Sequence, residues 1–201
     1  MRHESAAADE ALMQRTAQGD RDAFAAIYRR HHALVFRFAR LMIGSTEAAE
    51  DVVQEVFLGV MRSAARYDPS RSTLTTYLYG AARHQVRRRL LRDRLFVSLD
   101  DSAPDLCSAS TFAVSADELS RQRDLRDLRR AILALPPRYR EIVVLCDLQD
   151  LSYADAAQAV GCAVGTVRSR LHRARQLLTQ KMQRARACAL TPARPTVRCE
   201  V

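Results

Sequence analysis

The chain is short of turn formers and aromatics: its 201 residues include only 6 glycines, 6 prolines, 6% aromatic residues and no tryptophan. Strands need β-branched and aromatic runs broken by frequent turns, so this shortage predicts helix throughout. Few glycines also leave little with which to build a phosphate-cradling loop. No P-loop, GxGxxG or HExxH pattern occurs, which argues against an enzyme of those classes. No stretch approaches the roughly 20 apolar residues of a membrane span, and residues 1–10 hold no apolar run of signal-peptide type. The expectation is a cytoplasmic protein without membrane insertion. The five cysteines (Cys107, Cys146, Cys162, Cys188, Cys199) are odd in number and form no CxxC pair. In a reducing compartment they read as free thiols, with no metal or cofactor, although Cys188 and Cys199 sit where a tail could bind metal or oxidise.

Arginine is abundant, and Lys181 is the only lysine. The net charge is +9 and the isoelectric point near 9.9, which calls for an anionic partner such as nucleic acid. The charge is divided along the chain. Arg62 to Arg94 carries a net +7, Leu95 to Ser120 has no basic residue and a net −5, and Thr166 to Arg186 returns to +7 with no acid. The pattern is two basic modules joined by an acidic strap. Hydrophobic residues make up 48% of the chain, enough to give each module a core. The predicted fold is all-α: an extension over 1–19, a helical domain over 20–94, a flexible acidic linker over 95–120, a helix-turn-helix domain over 121–184 and a flexible tail over 185–201.

Helices are predicted at about 20–43, 46–65 and 74–94, with a short one ahead of Gly19, then near 121–135, 137–149, 152–160 and 164–185. Asp20, Ser45/Thr46 and Ser72/Thr73 are the N-cap signals, Gly44 is a stop, and Pro136-Pro137 separates two helices. From Ala187 the tail is expected to fray. Ser152 with Asp155 is a variant capping box, and Gly161 supplies a tight turn. Val167, Leu171, Ala174 and Leu178 then form one apolar stripe. The other side of that helix carries Gly165, Ser169, His172, Arg173 and Gln176, flanked by Arg168 and Arg175. A basic, hydrogen-bonding face on a helix docked through its other side suits the DNA major groove.

The run Leu135-Pro-Pro-Arg-Tyr-Arg-Glu141, with Leu151 to Ala154 and Gly165 to Arg175, resembles the fourth domain of bacterial sigma factors, above all the extracytoplasmic-function group. The resemblance implies binding of the −35 promoter element, with Arg168, Ser169 and Arg173 at the bases and Thr166, His172 and Arg175 beside them. Earlier in the chain, Ala49, Val53, Val56, Phe57 and Val60 make a buried stripe, while Glu47, Asp51, Gln54, Glu55 and Leu58 share the outside with Glu50 at its edge. Acids beside an exposed apolar residue suit a protein-docking face. Glu50 to Phe57 resembles the family segment that grips the basic clamp helices of core RNA polymerase, which makes Glu50, Asp51, Gln54 and Glu55 the contact candidates.

The helix from Thr73 to Arg89 mixes aromatics with arginines, a combination suited to holding melted DNA. The resemblance assigns it to the −10 element through Tyr77, Arg83, His84, Arg87 and Arg88. Here the sequence departs from the family, which usually has Trp at Tyr77, Asn at His84 and an acid at Arg88. The resemblance covers about 20–94 and 121–184, and implies core RNA polymerase, promoter DNA and an anti-sigma factor as partners. Two other readings are open: a free-standing helix-turn-helix regulator, and a sigma-like decoy that sequesters an anti-sigma factor. The first leaves the acidic stripe unused, and the second conflicts with an intact basic helix.

Overall fold

Among residues 2–97 and 116–190, which the computed structural model describes, every regular element is helical. The first four helices are α1 (Arg2–Ala17), α2 (Arg21–Ile43), α3 (Thr46–Ser63) and α4 (Leu74–Val97). Small polar residues start α2, α3 and α4. Asp20 Oδ1 accepts from the backbone N–H of Asp22 and Ala23 at 2.9 and 3.0 Å, Ser45 Oγ from Ala48 and Thr73 Oγ1 from Thr76. These bonds satisfy donors that a first turn leaves without intrahelical partners. Gly44 ends α2 at φ 92°, a left-handed position that a β-carbon disfavours.

The second set is α5 (Ala116–Leu133), α6 (Pro137–Val143, widening into a π turn over Val144–Leu148), α7 (Tyr153–Val160) and α8 (Val164–Leu190). Pro137 opens α6 at a position where its missing N–H costs nothing. Ser152 caps α7 by accepting from the Asp155 N–H at 3.1 Å and donating to the Asp155 carboxylate at 2.6 Å.

Three expectations need correction. The helix before Gly19 is not short: α1 has 16 residues, because tertiary contacts fix what its weak apolar pattern did not announce. The helix expected from 121 starts at Ala116. Fraying does not begin at Ala187: α8 continues to Leu190, since six of the seven residues from Arg184 to Leu190 are the good helix formers Arg, Ala and Leu and the next proline comes at Pro192. Residues 98–115 of the acidic strap and 191–201 of the tail lie outside the described residues, as do Cys107 and Cys199.

α1–α4 bury Met13, Ile27, Phe38, Val53, Phe57, Leu78 and Val86; α5–α8 bury Ile132, Leu135, Ile142, Leu145, Val160, Val167 and Leu171. The two units also pack together, α7 along α4 and α5–α6 against α2. The approach is close at Gly80, where a β-carbon would make an ordinary 3.7 Å contact with the Ala159 carbonyl oxygen. Tyr79, fully buried edge-on to Phe38, donates its hydroxyl to Gln149 Oε1 at 3.1 Å. Arg140 donates to the Met42 carbonyl across the junction and to the Leu133 and Leu135 carbonyls in its own unit. Its burial lowers the guanidinium pKa from the usual value.

α1 is held by a buried charge. Asp9, 4% exposed, accepts from Arg30 and lies 3.0 Å from Nε2 of His31, itself 5% exposed. Burial raises the Asp9 pKa, but the hydrogen bonds and charges of His31 and Arg30 outweigh it and leave the carboxyl below its ordinary value. An ionised Asp9 only accepts, so Nε2 carries the proton. Its contribution is present above the ordinary carboxylate pKa and is lost as pH falls through the lower folded value. Asp9→Ala should cost about 2 kcal/mol and open α1 to trypsin at Arg15. An unchanged melting temperature and cleavage pattern would show that apolar contacts alone hold α1.

Candidate nucleic-acid interface

The geometry of α7 and α8 begins with Gly161, whose left-handed φ of 70° turns the chain between them. Val167, Leu171 and Ala174 are buried at 0%, 2% and 0% exposure, and Leu178 is half-buried at the end of the stripe. With that side anchored against small Ala156, Ala157 and Ala159, the opposite side of α8 is left to solvent. Gly165, Arg168, Ser169, His172, Arg173, Arg175 and Gln176 are all exposed, and Thr166 is half-buried.

These side chains are partly organised. Arg173 donates to Gln176 Oε1 at 3.1 Å, and Gln176 Nε2 lies 3.0 Å from His172 Nε2. Ser169 bonds back to the Thr166 carbonyl. The Arg168 guanidinium lies 6.0 Å from the centroid of the Tyr153 ring, a cation–π contact that holds it at the α7 side. Arg175 is different, since it makes two bonds to Asp147, at 2.6 and 3.0 Å. Those bonds and the carboxylate charge raise its pKa above the usual value. A hydrogen-bonding, cationic surface about three helical turns long, with Asp147 at one flank, can address base edges and phosphates.

The α4 candidates are separated. Tyr77 and His84 line a groove of about 450 Å³ between α3, α4 and α7. The Tyr77 ring meets Tyr67 edge-on, and its hydroxyl lies 3.2 Å from Ser63 Oγ, so it is a wall of that groove rather than a free platform. Arg87 and Arg88 project into solvent. Arg83 points elsewhere, to Glu141 of α6 at 2.9 Å.

On α3 the apolar stripe is buried as expected, with Ala48 and Val52 added to it. Glu47, Glu50, Asp51, Gln54 and Glu55 are exposed, and Leu58 is 37% exposed among them. Asp51 accepts from Arg89 of α4 at 2.6 Å, a solvent-exposed pair that contributes little to stability. Glu50 and Gln54 also border a groove of about 980 Å³ whose far wall is α5, with Leu125, Leu128 and Arg129.

Sequence reasoning missed Glu141, Asp147 and Asp9 as partners of arginines. Glu141 closes the Leu135–Glu141 motif, but nothing in its spacing indicates an arginine 58 residues earlier. The two described cysteines whose side chains are placed, Cys146 and Cys162, are half-buried and free. Burial pushes the Cys146 thiol up to about 11, so it stays protonated and unreactive at neutral pH.

With this geometry in view, comparisons with known proteins carry two family matches. Residues 27–95 match sigma-70 region 2, and residues 125–178 match sigma-70 region 4. The sigma factor SigM of Mycobacterium tuberculosis is 33% identical over 183 residues, covering 89% of this chain and 86% of that protein. The sigma factor SigE of Mycolicibacterium smegmatis is 33% identical over 157 residues, 76% of this chain, which spans 58% of that longer protein. Among solved structures, the sigma factor RpoE of Bartonella quintana, crystallised with the anti-sigma factor NepR, aligns with a TM-score of 0.64 and 25% identity over 80% of this chain and 96% of that one.

Proposed function

Since this chain belongs to the sigma-70 family of RNA polymerase sigma factors, in its extracytoplasmic-function group, we propose a division of its labour among three surfaces. The outer side of α3, with Glu47, Glu50, Asp51, Gln54 and Glu55, docks on core RNA polymerase. α4 engages the −10 element as it melts, Tyr77 and His84 from the groove and Arg83, Arg87 and Arg88 at the phosphate backbone. α8 enters the major groove of the −35 element, where Arg168, Ser169 and Arg173 meet base edges and Thr166, His172 and Arg175 hold their surroundings. The protein itself catalyses nothing; nucleotidyl transfer belongs to the polymerase, and the shared site of action is the cytoplasm.

The observation that carries this reading is the seating of α8. Three buried residues fix the helix, and its opposite side presents arginines and hydrogen-bonding groups, with Asp147 at its flank. An anti-sigma factor is the further partner, and the groove between α2, α3 and α5 suits it: Phe36, Leu41, Leu125 and Leu128 for an apolar stripe, Arg37 and Arg129 for acids beside it.

The deciding experiment combines purified protein with core polymerase on a randomised promoter library. Enrichment of one −35/−10 pair that depends on both components is the expected result. If the protein alone retained duplex DNA with the same preference, and core polymerase added no transcription, it would be a free-standing regulator instead.

A further inference from the structure

Glu141 is a buried carboxylate shared between the two helical units. Its side chain is 6% exposed, Oε2 accepts from Arg83 Nε at 2.9 Å, and Oε1 lies 3.9 Å from Arg170 Nη1. One arginine comes from α4, the other from α8, the two helices whose exposed arginines are assigned to DNA. Arg83 is only 19% exposed while so held. A guanidinium that saturates its Nε–H on a carboxylate presents less of its fork to a phosphate.

The rest of the junction works in the same direction. Gln158 of α7 donates to the Arg71 carbonyl just ahead of α4, and the Ala159 carbonyl of α7 faces Gly80, 3.7 Å from where a β-carbon would stand, which leaves room for a methyl group but not for a longer side chain. Gln158 and Ala159 thereby wall the groove that holds Tyr77 and His84. On α3, the exposed Glu50 and Gln54 border the groove whose far wall is α5. Both surfaces that the first unit would offer to polymerase and melted DNA are thus bordered by the second unit.

We propose that the contact of α6–α7 with α4, keyed by Glu141 on Arg83, is an autoinhibitory latch in which a carboxylate occupies the place of a DNA phosphate. In the closed chain Arg83 is neutralised internally and the −10 groove is walled. Release of α6–α7 returns Arg83 to the backbone of the DNA and lets the two units reach separated promoter elements. The proposal rests on the assignment of α4 to DNA, so the test reads closure and DNA binding separately.

The isosteric Glu141→Gln removes the charge and keeps an acceptor; Gly80→Leu leaves all charges and drives a side chain into the α7 backbone. The full-length variants and the wild type are compared by circular dichroism, small-angle X-ray scattering and titration of a 20-nucleotide mixed-sequence single-stranded DNA at fixed salt. Both variants should stay helical, increase the radius of gyration and bind the oligonucleotide about five- to tenfold more tightly than wild type, a typical coupling between linked equilibria. Arg83→Ala should open the chain without the gain in binding. If neither Glu141→Gln nor Gly80→Leu expands the protein, there is no latch. If both expand it with unchanged affinity, the contact is a structural joint and autoinhibition is wrong. In either case, transcription by the wild type with core polymerase would keep the sigma-factor reading intact.

Discussion

Asp51→Arg combined with Glu55→Arg should abolish association with core RNA polymerase while the circular dichroism stays that of the wild type. Both side chains lie on the solvent side of α3, opposite the seven buried residues that hold the helix, so the substitutions do not enter the core. Facing a basic partner surface they convert attraction to repulsion, and like charges juxtaposed across an interface cost several kcal/mol. A loss of that order moves a complex far out of reach of a pull-down. The variant also breaks the Asp51–Arg89 pair and leaves two arginines together. Adding Arg89→Glu restores an internal pair and relieves that local repulsion. Docking should not return with it, because the charge offered to the polymerase is still inverted. Recovery of the triple variant with core polymerase at wild-type yield would mean that the α3 surface is not the docking face.

On α8, three single substitutions should fail in three different ways. Leu171→Asp should unfold the α5–α8 unit, since Leu171 is 2% exposed and an ionised carboxylate buried without a partner costs several kcal/mol. Arg173→Ala should leave the fold intact, because its described partner is only the neighbouring Gln176, and relax the preference at one or two −35 positions by roughly 1–3 kcal/mol. Arg175→Ala has a richer outcome than a lost phosphate contact. It removes a cation and also releases the Asp147 carboxylate that the bidentate pair now neutralises. Binding should fall for all sequences alike, and the pair Arg175→Ala with Asp147→Asn should recover part of the loss. A promoter library transcribed with each variant separates these outcomes. An altered −35 preference from Arg175→Ala, with none from Arg173→Ala, would place a different side of α8 against the bases.

Much of this was open to reading along the chain because local physics governs it. Asp20, Gly44, Ser45, Thr73, Ser152 and Gly161 act within a few residues of themselves, through caps and turns that depend on backbone geometry alone. The buried stripes of α3 and α8 follow from a helical period of 3.6, so their outward sides followed too. The acids of α3 and the arginines Arg168, Arg173 and Arg175 of α8 accordingly lie exposed, as that period predicts.

What the chain could not announce depends on residues far apart meeting. α1 meets α2 through Asp9 reaching Arg30 and His31, and an Asp in an Ala-rich stretch has no periodic signature for such a partner. Arg83 read as one more cation of the α4 surface, yet it is paired with Glu141; Arg175 read as a flank of α8, yet it is pinned by Asp147. Sequence by itself determined an all-helical chain, its caps, its amphipathic sides and its two basic modules, because each is set by neighbours within one or two turns. Only the tertiary structure decided that the modules pack together and which arginines are already occupied, because an ion pair forms where folding brings two charges within about 4 Å of each other, whatever their separation along the chain.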